Sequence, residues 1–114
     1  MLRSVIQDGR VTSSASEGPV SVRLDPVLMR AAELLRFEEV EVVNVATAER
    51  WRTYVGTGAP GEIHMHTGDR HPTRSGDVVH ILSWGMLHDG QTLTHHVKLV
   101  ALDERNQVIS LSES

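Results

Sequence analysis

Short stretches of alternating apolar and polar residues run along most of this chain, each closed by a glycine, proline or aspartate break. Leu2 to Gln7 alternates as a first strand. Asp8 to Pro19 reads as a loop, with Asp8-Gly9, the run Thr12-Ser13-Ser14-Ala15-Ser16, and Gly18-Pro19. Val20 to Leu24 alternates again and predicts a strand. Asp25-Pro26 supplies a capping carboxylate and a proline for the first helical position. The spacing then predicts a helix over Val27 to Arg36, with Val27, Leu28, Ala31, Leu34 and Leu35 on one stripe.

Glu41 to Val45 and Arg50 to Val55 read as a hairpin around the turn Ala46-Thr47-Ala48-Glu49. Gly56 to Gly61 is a glycine-rich loop, Glu62 to His66 a short alternating strand, and Thr67 to Pro72 a turn. Gly76-Asp77 introduces Val78 to Trp84, dense enough in apolar residues for a buried strand. After a turn at His88 to Gln91, His96 to Leu102 and Gln107 to Leu111 form a closing pair. Many short strands with little helix predict a mainly β fold, a small barrel carrying one or two short helices. At 114 residues the chain (residues 1–114) is read as a single domain.

Composition narrows the function. The net charge of −4 and the scarcity of aromatic residues argue against nucleic-acid binding. No apolar run is long enough for a membrane span, and Met1 to Asp8 is too short and polar for a secretory signal. With no cysteine, thiolate chemistry and disulfides are excluded, and the cytoplasm is the expected location. Seven histidines are the one excess.

Ser21-Val22-Arg23-Leu24-Asp25 runs without a break to Arg50-Trp51-Arg52-Thr53-Tyr54, through Ala31-Ala32, Leu34-Leu35, Glu38 and Asn44-Val45. Together with Met1 to Gln7 and Gly76-Asp77-Val78-Val79, this pattern resembles the pyruvoyl-dependent aspartate 1-decarboxylases. The resemblance implies a double-psi β-barrel, a homotetramer with sites between subunits, and formation of β-alanine from L-aspartate. It implies cleavage between Val20 and Ser21, after which Ser21 becomes a pyruvoyl ketone that takes up the substrate amine and the electrons released with CO2. It also assigns roles. Thr53 assists cleavage, Tyr54 protonates the carbanion, and Arg50 holds the carboxylate of a small-molecule substrate; its planar fork suits that task. Arg10 stands near the family's early lysine, and Thr67-Gly68 near its Asn-Gly.

Two departures from the family pattern open alternatives. Val20 stands where the family has glycine; its β-branched side chain crowds the carbonyl to be attacked, and Pro19 stiffens the approach. Thr67 replaces asparagine, and Asp69-Arg70-His71 replace small alanines, so the pocket is reshaped. His64-x-His66, with His71 after the turn, offers a second chemistry. Metal ligation would need a carboxylate at a familiar offset, and none is present, so no metal is assigned. His64, His66 and His71 can instead act as general acids or bases. An uncleaved, cofactor-free enzyme using Tyr54, Thr53 and these histidines for hydrolysis, elimination or isomerisation is therefore one alternative. A non-catalytic partner of an active relative is another. His80 is expected to be a satisfied core or interface histidine, and His88, His95 and His96 to lie on loops or strand edges.

Overall fold

The computed structural model describes residues 1–16, 19–68, 73–85 and 96–114. Among these, nine strands and one helix follow in order: β1 (Leu2–Arg10), β2 (Ser13–Ala15), β3 (Ser21–Leu24), α1 (Pro26–Ala31), β4 (Glu39–Asn44), β5 (Arg50–Thr57), β6 (Ile63–His66), β7 (Val78–Trp84), β8 (Lys98–Leu102) and β9 (Val108–Glu113). The chain is mainly β with one short helix, as the alternation predicted. Hydrogen bonding links the strands in the order β2-β6-β3-β5-β4-β7-β1-β8-β9. Three of these pairings are parallel: β1 with β8, β2 with β6, and β3 with β5. Parallel neighbours require crossover connections, so this is an interwoven β fold and not a simple meander. That weave agrees with the expected double-psi barrel.

Every second residue of the central strands points inward. Val22 and Leu24, Val40 and Val42, Val55, Ile63 and Met65, and Val79 and Ile81 are buried and join Ile6 and Leu28 in one core. The opposite faces of β3, β4, β5 and β6 carry the polar residues. Period-two alternation thus decides which side chains are available for chemistry.

The structure moves several strand ends by one or two residues and redraws two regions more substantially. Asp8-Gly9 is a bulge within β1, with Asp8 at a φ of 61° and the register shifting between Ile6 and Gly9. The predicted loop over Asp8 to Pro19 therefore contains the end of β1 and all of β2. A Cβ at Gly9 would stand 2.7 Å from Ile63 Cδ1, so the end of that buried side chain would have to move to admit one.

The helix also stops at Ala31 and does not reach Arg36. Its start is as expected: Asp25 Oδ1 accepts from Val27 N at 2.8 Å, and Pro26 opens the first turn. Its end is a Schellman turn, in which Leu34 N donates to Met29 O and Glu33 N to Arg30 O. Glu33 takes the left-handed position at a φ of 56°, where glycine is usual. Leu28 and Leu34 are buried; Leu35 is exposed because the chain has already turned, and Val27, in the first turn of the helix, is exposed as well.

Candidate active site

Strand register gathers one group of residues around Ser21. β3 lies between β6 and β5, pairing antiparallel with the first and parallel with the second. Across the antiparallel pair, Ser21 faces His66 and Arg23 faces His64. Across the parallel pair, Val22 is matched with Val55. Ser21 is therefore next to Tyr54, one residue back on each strand and on the outward face. On the far side of β6, parallel pairing with β2 sets Ser13 beside His64 and Ala15 beside His66. A row of polar groups from β2 to β5 thus surrounds the start of β3.

The histidines in this row are in contact. Ser13 Oγ lies 2.5 Å from His64 Nδ1. The rings of His64 and His66 meet edge to face, with centroids 4.5 Å apart. His66 Nδ1 is buried and has no hydrogen-bond partner among the described residues. Burial, then the charges that His64 and Arg23 can carry, hold the His66 imidazole below its ordinary pKa. It is consequently a neutral base at neutral pH.

Thr53 and Tyr54 point to opposite sides of β5. Tyr54 is 54% exposed, whereas Thr53 is buried and its Oγ1 has no partner among the described residues. Leaving a buried hydroxyl unpaired costs about 1–3 kcal/mol, which gives this atom the look of a functional group held ready. Val20 is 43% exposed and precedes β3. It is absent from the residues with positive φ, so the backbone before Ser21 does not demand glycine.

Other sequence candidates lie apart. Arg50 is on the same face of β5 as Tyr54, but four residues away, about 13 Å along the strand. There it pairs with Glu41 Oε1 at 3.1 Å, and its side chain is 61% exposed. Arg10 lines a separate cleft of about 570 Å³ with Asp8, Asp103, Glu104 and Arg105. Its backbone is fixed by Asn106, whose Oδ1 accepts from Arg10 N and whose Nδ2 donates to Arg10 O. Thr67 is buried, with its hydroxyl donating to Gly68 O at 3.3 Å. Gly68, at a φ of 65°, has open space where a Cβ would project. His71, with Asp69, Arg70 and Pro72, lies outside the described residues, as do His88 and His95. His80 is satisfied, its Nδ1 accepting from Asp8 N at 3.2 Å.

Sequence reading missed Ser13 and Arg23. Ser13 sits in a run that looks like loop, and only the β2–β6 pairing brings it to His64. Arg23 was visible as an outward strand residue, but its partner across β6 was not. Among the described residues no cluster of three or more potential metal ligands occurs. Nor is any helix among them long and apolar enough to cross a membrane.

Comparison with known proteins finds relatives along most of the chain. A family model described as "Aspartate decarboxylase" matches residues 1–109. The aspartate 1-decarboxylase of Shouchella clausii (strain KSM-K16) is 35% identical over 113 residues, covering 97% of this chain and 89% of that protein. One from Dehalococcoides mccartyi (strain ATCC BAA-2266 / KCTC 15142 / 195) is 36% identical over 110 residues, covering 95% and 89%. One from Listeria monocytogenes serovar 1/2a (strain ATCC BAA-679 / EGD-e) is 33% identical over 110 residues, covering 95% and 87%.

Proposed function

We propose, from the premise that this chain belongs to the aspartate decarboxylase family, that it is a decarboxylase-type enzyme with a pyruvoyl group made from Ser21. Its substrate is a small amino acid bearing a carboxylate, of the aspartate-to-β-alanine type, and it works as a cytoplasmic homotetramer. The observation that carries this reading is the register that sets Ser21 beside Tyr54, with the unpartnered Thr53 hydroxyl on the same strand.

The residues suit the cofactor. Ser21 stands at the first position of β3 after an exposed Val20, so the bond between them lies where the chain enters an interior strand and its ladder begins. The buried Thr53 Oγ1 is a spare donor for a carbonyl oxygen that becomes negative during attack. Once formed, a pyruvoyl group would supply an electron sink for the pair released on CO2 loss. Tyr54, with its hydroxyl on the outward face beside Ser21, then returns a proton to the substrate carbon.

Arg50 is too far along β5 to serve the Ser21 of its own subunit. Its exposed fork, paired with Glu41 among the described residues, is placed in this reading to bind a substrate carboxylate where subunits meet. Exchange of Glu41 for the substrate costs little, because such pairs contribute about 0–1 kcal/mol.

A second reading rests on the unpartnered His66 Nδ1. In it the chain stays intact and His66, His64 and Tyr54 carry out acid–base chemistry without a cofactor.

Intact mass under denaturing conditions, joined to an assay of CO2 release from L-aspartate, tests both. The first reading expects fragments of residues 1–20 and 21–114, the second blocked by pyruvoyl, and loss of cleavage and activity in Ser21→Ala. A single species containing all 114 residues would reject it. Turnover by that intact species would favour the second reading.

A further inference from the structure

We infer that His66, the cross-strand partner of Ser21 on β6, is the general base for self-cleavage of the Val20–Ser21 bond. The inference rests on the pyruvoyl reading and adds to it a catalytic group on β6.

Register places the reacting groups together. Ser21 and His66 are direct antiparallel partners. Such partners share a face and have Cβ atoms about 4.5–5.5 Å apart, which a serine hydroxyl and an imidazole span. Met65 and Val22, the next pair along, are both buried, so His66 and Ser21 share the outward side. The buried His66 Nδ1 has no partner of its own and is left to accept a proton.

The surroundings keep that imidazole unprotonated and so able to accept a proton. Among the described residues, the titratable and charged groups facing His66 are His64 on its own strand and Arg23 on β3, with Tyr54 of β5 beyond β3; β2 presents only Ser13, Ser14 and Ala15. Contact between Ser13 Oγ and His64 Nδ1 fixes the orientation of His64, whose ring edge meets His66. Positive charge at His64 or Arg23 disfavours protonation of His66 in the resting chain.

In the step assigned to it, His66 takes the proton of Ser21 Oγ as that oxygen attacks the Val20 carbonyl carbon. A C–O bond forms, and Thr53 on β5 is the spare donor for the oxyanion. The C–N bond then breaks, and the imidazolium returns its proton to the departing Ser21 nitrogen. The products are a Val20 ester on Ser21 Oγ and a free Ser21 amine, with no net gain or loss of protons or electrons.

The test follows the cleavage rate of freshly synthesised full-length chain by intact mass, across roughly pH 5 to 8. Wild-type protein is expected to cleave faster as pH rises through the His66 titration, then level off. His66→Gln is expected to slow cleavage about 100-fold and to lose that pH dependence. His66→Ala is expected to recover part of its rate with added imidazole, which a purely structural role does not allow. Slowed cleavage in His66→Gln with an unchanged pH profile and no rescue of His66→Ala overturns the inference. So does wild-type cleavage matched by both variants, and either result leaves the pyruvoyl reading standing. Wild-type chain that stays intact overturns both together.

Discussion

Two of the polar clusters among the described residues differ in how fully their atoms are satisfied. In the first, Glu38 accepts from Arg3 at 2.6 Å, from Ser83 Oγ and from Leu35 N, while Arg3 also reaches Glu33 O. Lys98 then pairs with Glu33 at 2.6 Å. The cluster ties β1, β7 and β8 to the turn after α1. In the second, around Ser21, His66 Nδ1 and Thr53 Oγ1 are buried without partners. Polar groups of both clusters lie on neighbouring strands, yet one cluster spends its hydrogen bonds on the fold and the other keeps them in reserve. Satisfied networks rigidify a structure, and unsatisfied buried atoms cost stability unless something uses them.

Substitutions can break this contrast. The largest effect is expected from Tyr54→Phe, which removes the proton donor. Decarboxylation should fall by about 10²–10⁴-fold in single-turnover assays, while the thermal midpoint stays close to that of the parent, since Tyr54 is exposed. Glu38→Gln should act in the opposite way. It removes charge-assisted bonds and should lower unfolding free energy by about 1–3 kcal/mol in urea titrations, with cleavage at Ser21 retained.

Glu38 also fixes a dependence on pH. Burial pushes its pKa up, but bonds from Ser83, Leu35 N and Arg3, with the charge of Arg3, outweigh burial and lower it. Its stabilisation is therefore complete above the ordinary glutamate pKa and is lost as pH falls through the depressed folded value. Glu38→Gln should flatten that acid limb of a stability–pH curve; an unchanged limb would assign it to other carboxylates.

Thr53→Val tests the other cluster by a smaller change. Replacing an unpaired buried hydroxyl with a methyl of similar shape should leave stability equal or raise it by about 1 kcal/mol, while slowing self-cleavage. Loss of stability would mean that Thr53 is part of the packing network after all. The smallest effect on folding is expected from Arg50→Ala, within about 1 kcal/mol. Its signature should be a raised KM for substrate.

The sequence made much of the scaffold legible, for identifiable reasons. Val78 to Trp84 after Gly76-Asp77, and the hairpin around Ala46 to Glu49, carry strong local signals, and both form as read. The helix end was hidden because Glu33 occupies a left-handed position that glycine normally marks. β2 was hidden because its three residues are held by β6, about 50 positions away. The same limit applies to the site. Ser21, Thr53 and Tyr54 stand out by their spacing, but the facing of Ser21 by His66 depends on long-range register that no local pattern encodes.

The position of β1 has a final consequence. It is bonded to β7 on one edge and β8 on the other, and Ile6 is fully buried in the core. A cut after Val20 would free the short piece covalently but leave it woven through the centre of the larger one. The processed protein would then be a split protein whose halves complement each other. The small fragment should escape only when the whole fold comes apart, so native chromatography should return the two pieces as one.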